Sequence, residues 1–345
     1  MTDRIRVLVV DDSAFVRKVV AQMLSRSPRI EVVGVARDGE EALELVERHR
    51  PDVITLDLVM PRMNGVEFLR RQNLRHRVPV VICSIAHQSG EMALDAFEAG
   101  AVEFVQKPTA LATDRVFEIV DELVAKVEAA ARVTDERLSR DLPVPLSPVV
   151  FSPNGTRTDV VVLGISTGGP QALRHLIPRL PAAFPVPIAM VLHMPVGYTE
   201  MYAQRLNAIS ALEVTEVHDG DLLRPGLVWL APAGRHLTFN RGTDGAVRAH
   251  LDLHPTDTQH RPAVDVLFHS AAEVFGSRTL GVVMTGMGSD GLLGAAHIKA
   301  QGGRVATEAE SSCVVYGMPR VVVEASLSDR SATLQEMAGA IAEML

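Results

Sequence analysis

The chain has 345 residues, 47% of them hydrophobic, and a formal net charge of −8 at pH 7. That length suits two domains of roughly 150 residues, each able to bury its own core. The acidic balance argues against nucleic-acid binding, which usually needs a basic face, and the apolar runs are too short for direct membrane insertion. The N-terminus reaches an apolar strand at Ile5 and then Asp11-Asp12, which is not a signal peptide. Cys83 and Cys313 fall in different halves. No disulfide framework is expected, and a cytoplasmic location follows.

Residues 1–130 alternate apolar runs with amphipathic stretches. Strands are predicted at Ile5–Val10, Glu31–Val35, Val53–Asp57, Val80–Cys83 and Val102–Val105, with helices over 14–26, 40–49, 65–71, 90–99 and 113–130. Five such units read as a doubly wound α/β sheet. Residues 131–157 read as a linker, because Pro143, Pro145, Pro148 and Pro153 cannot continue a helix or a central strand. A second α/β unit, 158–345, opens with a strand at 159–164, a Gly-rich turn and a helix near 169–178. Strand 187–192 ends at His193, and shorter β pieces follow at 213–217, 227–231 and 236–239. Helix 264–275, strand 279–284, a helix from about 290, strand 303–306 and a helix over 332–344 complete it.

In a parallel sheet, functional groups gather at the carboxyl ends of the strands. Asp11 and Asp12, Asp57, Ser84 and Lys107 follow strands 1, 3, 4 and 5. Three carboxylates packed together repel unless a hard cation lies among them, and magnesium suits such a set. Asp57 is then placed to take a phosphoryl group, with the Ser84 hydroxyl and the Lys107 ammonium neutralising its oxygens. The chain holds four lysines among 34 basic residues, so a compact ammonium at this strand end is a specific choice. The plainer reading makes Asp11 and Asp12 helix caps and Lys107-Pro108 a turn.

In the second half, Gly164-Ile165-Ser166-Thr167-Gly168-Gly169 forms a strand-to-helix turn that exposes a hydroxyl. Serine needs a base, and an imidazole base needs an orienting carboxylate. His193 ends the next strand, and Asp290 follows a third strand in Thr285–Gly291, where the Met287 N–H can also reach the site. Other readings stay open here: a phosphate-cradling loop, an α/β-hydrolase elbow using His297, or a structural His193. His250, His254 and His260, with Asp252 and Asp257, lack a fixed metal-ligand spacing and read as a polar loop.

Residues 4–127 resemble the receiver domain of bacterial response regulators, through the Asp11-Asp12, Asp57, Ser84 and Lys107 set and the Met60–Gly65 loop. The resemblance implies a flavodoxin-like fold with Asp57 as phospho-acceptor. It also implies magnesium held by Asp12, Asp57 and the Val59 carbonyl, and Phe104 as the switch aromatic. Ile85-Ala86-His87-Gln88 departs from the usual string. Gly164–Gly169, His193-Met194-Pro195, Arg261–Phe268, Thr285–Gly291 and Gly317-Met318-Pro319 resemble the chemotaxis protein-glutamate methylesterase family, CheB, over residues 159–342. This second likeness implies a Rossmann-like sheet with extra β-hairpin elements and no cofactor in the catalytic half. Ser166 is its nucleophile, His193 the general base and acid, Asp290 the orienting residue, and Thr167, Gly168, Gly169 and Met287 the oxyanion turn. The implied substrates are glutamate γ-methyl esters on methyl-accepting chemoreceptors, with receptor glutamines deamidated as well. A chemotaxis histidine kinase is the implied phosphodonor. The rival expectation is a phosphorylation-gated binding module without turnover.

Overall fold

The computed structural model describes residues 4–74, 77–84, 90–107, 115–133 and 157–345. The Ile85–Gln88 string, Pro108 and nearly all of the 131–157 linker lie outside them. The chain divides into two compact units, 1–141 and 142–345.

The first unit is a five-stranded parallel sheet in the order β2-β1-β3-β4-β5. Its strands are β1 (Ile5–Val10), β2 (Ile30–Ala36), β3 (Val53–Leu56), β4 (Val80–Ser84) and β5 (Glu103–Gln106). Strands β3 and β4 are buried along their whole length, as their mainly apolar sequences require when helices cover both faces. The helices are α1 (Ala14–Leu24), α2 (Gly39–His49), α3 (Gly65–Gln72), α4 (Gly90–Glu98) and α5 (Arg115–Ala130). Ser13, Asp38 and Asn64 cap the first three by accepting a backbone N–H three residues on, which sets where each helix starts.

The second unit is built on a seven-stranded parallel sheet, β14-β13-β12-β6-β7-β9-β8. From β6 (Val160–Ile165) the chain passes α6 (Gly169–Leu176), β7 (Ile188–Leu192), α7 (Thr199–Ala208), β8 (Glu213–Glu216) and β9 (Leu227–Leu230). After β10 (His236–Arg241), β11 (Val247–Asp252) and α8 (Val264–Phe275), it returns to β12 (Thr279–Val283) on the other side of β6. The strand order therefore reverses at β6, and the carboxyl ends of β6, β7 and β12 open a crevice there. Helix α9 (Leu292–Ala300), β13 (Arg304–Glu308), α10 (Met318–Glu324), β14 (Arg330–Ala332) and α11 (Leu334–Glu343) finish the unit.

Of the short β pieces, β8 and β9 extend the main sheet in parallel. The antiparallel hairpin is β10 with β11, the latter lying where the sequence reads as a polar loop. Leu237, Phe239, Val247 and Ala249 on one hairpin face join the core around Trp229 and Phe268. Among the described residues no helix is long and apolar enough to cross a membrane.

Candidate functional site

Ser166 follows β6 and is half-buried. Its N–H donates to the Thr285 carbonyl (2.9 Å), and its own carbonyl accepts the Gly169 N–H (2.7 Å). Gly168 adopts φ +76, a left-handed conformation that turns the strand sharply into α6. Gly286 faces Ser166: a Cβ there would lie 2.8 Å from the Ser166 Cβ and also meet Met318 Sδ. The Gly286 carbonyl accepts the N–H groups of Gly317 (3.1 Å) and Met318 (2.9 Å). Because a trans peptide points its C=O and N–H oppositely, the Met287 N–H is directed away from α10. Thr167 is buried, and its carbonyl accepts the Thr285 hydroxyl at 2.9 Å. Replacing Gly286 by alanine is expected to push Ser166 aside and cost about 10²-fold in kcat, the scale of a 1 Å misplacement. Steady-state kinetics on the folded variant checks this.

His193 extends β7 by one backbone bond, its N–H donating to the Ile165 carbonyl at 3.2 Å. Nε2 is 2.8 Å from Asp290 Oδ2. Nδ1 is buried and holds no hydrogen bond, so a link to Ser166 is not closed here; such links often tighten only on substrate binding. Asp290 is fixed from outside its own loop. Helix α8 starts at Ala263, which offers no side-chain cap, and the Asp290 carboxylate takes the orphan N–H groups of Val264 and Asp265 at 2.8 Å each. Burial favours the neutral acid, but the His193 hydrogen bond and charge and these backbone donors hold Asp290 below its ordinary 3.8. The arrangement is reciprocal. Asp265 Oδ1 accepts the N–H groups of Gly291 (2.9 Å) and Gly294 (2.7 Å) at the start of α9, while burial pushes its carboxyl up.

Ser166, His193, Asp290 and the Thr285–Met287 loop thus meet on one sheet edge. His297 does not join them: it bonds Glu273 at 2.5 Å, so an elbow completed by His297 has no support. His250 pairs with Asp219 and His254 with Asp252 on the surface. His260 behaves differently, stacking on the His193 ring with centroids 4.0 Å apart. Sequence reasoning missed the roles of His260 and Asp265, and also Glu308. That fully buried carboxylate accepts the Thr285 N–H and the Ser312 hydroxyl, both at 2.9 Å. Its signal was its place at the end of β13, on the same sheet edge.

In the first unit Asp11, Asp57 and Ser84 are buried at strand ends, and Phe104 is buried within β5. Lys107 Nζ bridges Asp11 Oδ2 (2.5 Å) and Asp57 Oδ2 (2.7 Å), and its backbone N–H donates to the Ser84 carbonyl at 3.0 Å. Burial pushes the Asp57 carboxyl above its ordinary 3.8 against the pull of Lys107. Burial opposes the Lys107 charge, yet Asp57 and Asp11 outweigh it and raise its pKa. One oxygen each from Asp11, Asp12 and Asp57 lies within 4.8 Å of the others, a donor set suited to a hard divalent cation. The Val59 N–H reaches Asp57 Oδ1 at 3.4 Å.

Residues 161–341 match the family model for CheB methylesterase, and residues 7–120 match that for the response regulator receiver domain. The chain belongs to the CheB methylesterase family. It is 53% identical over 335 residues to protein-glutamate methylesterase/protein-glutamine glutaminase 5 of Myxococcus xanthus, covering 96% of each chain. It is 43% identical to the like-named protein of Halalkalibacterium halodurans, covering 99% of this chain and 98% of that one. The crystal structure of the Thermotoga maritima CheB methylesterase catalytic domain superposes with a TM-score of 0.53. It is 41% identical and covers 55% of this chain and 99% of that one. The flavodoxin-like receiver sheet followed by a CheB catalytic sheet is the two-domain architecture of this family member.

Proposed function

We propose that this CheB family member hydrolyses glutamate γ-methyl esters on chemoreceptors, releasing methanol, and deamidates receptor glutamines by the same nucleophile. The observation that carries the reading is the chain of contacts from the α8 N-terminus through Asp290 to His193 Nε2, beside Ser166 at the switch point of the sheet. Asp290 fixes the ring and its tautomer, leaving Nδ1 to take the Ser166 proton. Ser166 Oγ attacks the γ-carbonyl. The oxyanion is received by the turn amides of Thr167 and Gly168 and by the Met287 N–H, each such donor typically worth ~3 kcal/mol, whereas the Gly169 N–H, expected to join them, is already taken by the Ser166 carbonyl and serves to hold the turn. The protonated His193 then gives its proton to the departing methoxide, which leaves as methanol, or to the departing amide nitrogen, which leaves as ammonia, when glutamine is the substrate. Water, deprotonated by His193, then attacks the glutamyl-serine ester, and His193 returns that proton to Ser166 Oγ as the ester bond breaks.

Asp57 is the proposed phospho-acceptor, with a chemotaxis histidine kinase as donor. Asp11, Asp12, Asp57 and the Val59 carbonyl would hold magnesium, which would supply positive charge for the phosphoryl oxygens. Asp57 supplies the nucleophilic oxygen, Ser84 and Lys107 support the phosphoryl group, and Phe104 reports it. The compartment is the cytoplasm, in keeping with the free, buried Cys83 and Cys313. A gated binding module without turnover would leave the Asp290–His193 contact beside Ser166 without a purpose.

The test compares methanol release from a methylated receptor fragment with ammonia release from its glutamine form. Loss of both in Ser166→Ala supports one shared site; survival of either contradicts it. For regulation, deleting residues 1–150 is expected to raise basal methanol release, and Asp57→Asn to abolish the response to beryllofluoride with magnesium. Unchanged or lower activity of the truncated protein would sink the gating proposal.

A further inference from the structure

We propose that His269, Glu273 and His297 form a binding site for a divalent transition-metal ion of zinc-like preference. It lies on the helix pair whose first turns hold Asp265 and Asp290. His269 and Glu273 are one turn apart on α8 and therefore share a face. His297 approaches from α9. One ligand atom from each residue lies within 4.8 Å of the other two. The His269 and His297 rings are stacked with centroids 4.0 Å apart, and His297 Nε2 lies 2.5 Å from Glu273 Oε1.

The helix pairing brings these residues together. Gly294 packs against Phe268, where a Cβ would collide with the Phe268 Cβ, and its N–H donates to Asp265. Without a side chain at 294 the two helices approach closely, and position 297, one turn on, is carried opposite 269 and 273. The donor chemistry then selects the ion. Two imidazoles and a carboxylate suit zinc, copper or nickel rather than magnesium or calcium, which favour all-oxygen sets. Zinc bonds of ~2.0–2.2 Å place ligand atoms roughly 3.3–3.5 Å apart. The present span, within 4.8 Å, would have to shorten to that on binding, by rotation of the His269 side chain out of its stack. His269 and Glu273 are exposed, so this moves no core residue. The ion would replace the proton that His297 shares with Glu273.

Three protein ligands leave a fourth position open. His269 and His297 line a cavity of ≈ 890 Å³ whose wall also includes His260 and Asp290. The site therefore lies on the same cavity that reaches Asp290. Asp265 already ties the first turns of α8 and α9 together, and the ion would tie their later turns.

The test titrates the full-length protein with zinc against a chromophoric chelator, in millimolar magnesium to occupy the Asp11, Asp12 and Asp57 set. Cobalt absorption serves as a second probe of imidazole ligation. One equivalent is expected to bind. His297→Ala and Glu273→Gln should each weaken it at least tenfold, and His254→Ala should leave it unchanged. Zinc should raise the melting temperature of the wild type but not of His297→Ala, with Trp229 emission reporting that each variant is folded. No saturable binding by the wild type overturns the proposal. So does wild-type affinity in both His297→Ala and Glu273→Gln, or an equal loss in His254→Ala, which would place the ion elsewhere.

Discussion

Replacing Ser166 by alanine is expected to lower kcat for methyl-ester hydrolysis by about 10⁶-fold, with the fold intact. Loss of a serine nucleophile that acts as a unit with its base has that scale, because the remaining groups cannot form the covalent intermediate. The substitution is structurally mild. The backbone bonds of Ser166 to Thr285 and Gly169 do not involve its hydroxyl, and the Ser166 Cβ that faces Gly286 is retained. Substrate affinity should therefore change far less than kcat. A variant that keeps more than a hundredth of wild-type turnover would mean that water attacks the ester directly. Ser166 would then be a positioning group.

Asp290→Asn is expected to lower kcat by about 10⁴-fold, the cost of presenting the base in the wrong tautomer. The carboxylate accepts from three donors: His193 Nε2, Val264 N and Asp265 N. An asparagine has one acceptor oxygen and an NH₂ that must oppose at least one of them. Leaving such a donor unsatisfied costs about 1–3 kcal/mol, so the catalytic unit should also be less stable. The pH dependence has a definite sign. Asp290 in the folded protein titrates below its ordinary 3.8. Its stabilisation is thus fully present above about that value and disappears as pH falls through the lower folded value. The stability gap between wild type and Asp290→Asn should be constant above pH ~4 and narrow below it. Urea unfolding followed at Trp229, the single tryptophan and fully buried in the second unit, measures it directly. A gap that widens on acidification would contradict this account of Asp290.

Most strands of both sheets are legible in the sequence because parallel strands covered on both faces are dominated by apolar residues. Val53–Leu56 and Val160–Ile165 are examples. The catalytic candidates are legible because each follows such a run. Helix α7 was missed: it begins without a side-chain cap and carries a largely polar sequence, Thr199–Ala208. Strand β11 was obscured by His250 and Asp252, although Val247, Ala249 and Leu251 alternate correctly for one buried face. The strand order could not be read from the alternation of elements, since nothing local says that β12 returns beside β6. The same limit hides His260 and Asp265. One acts through a ring stacked on His193, the other through N–H groups on a helix 26 and 29 residues away. Neither leaves a period or a motif of its own.

The central claim is that Ser166, His193 and Asp290 make this chain a receptor methylesterase governed by its receiver. The most direct measurement is methanol release from methylated receptor membranes by the full-length protein, with and without beryllofluoride and magnesium. We expect release that rises when the acceptor site is loaded. The contradicting result is folded, beryllofluoride-loaded protein that binds the receptors and releases no methanol.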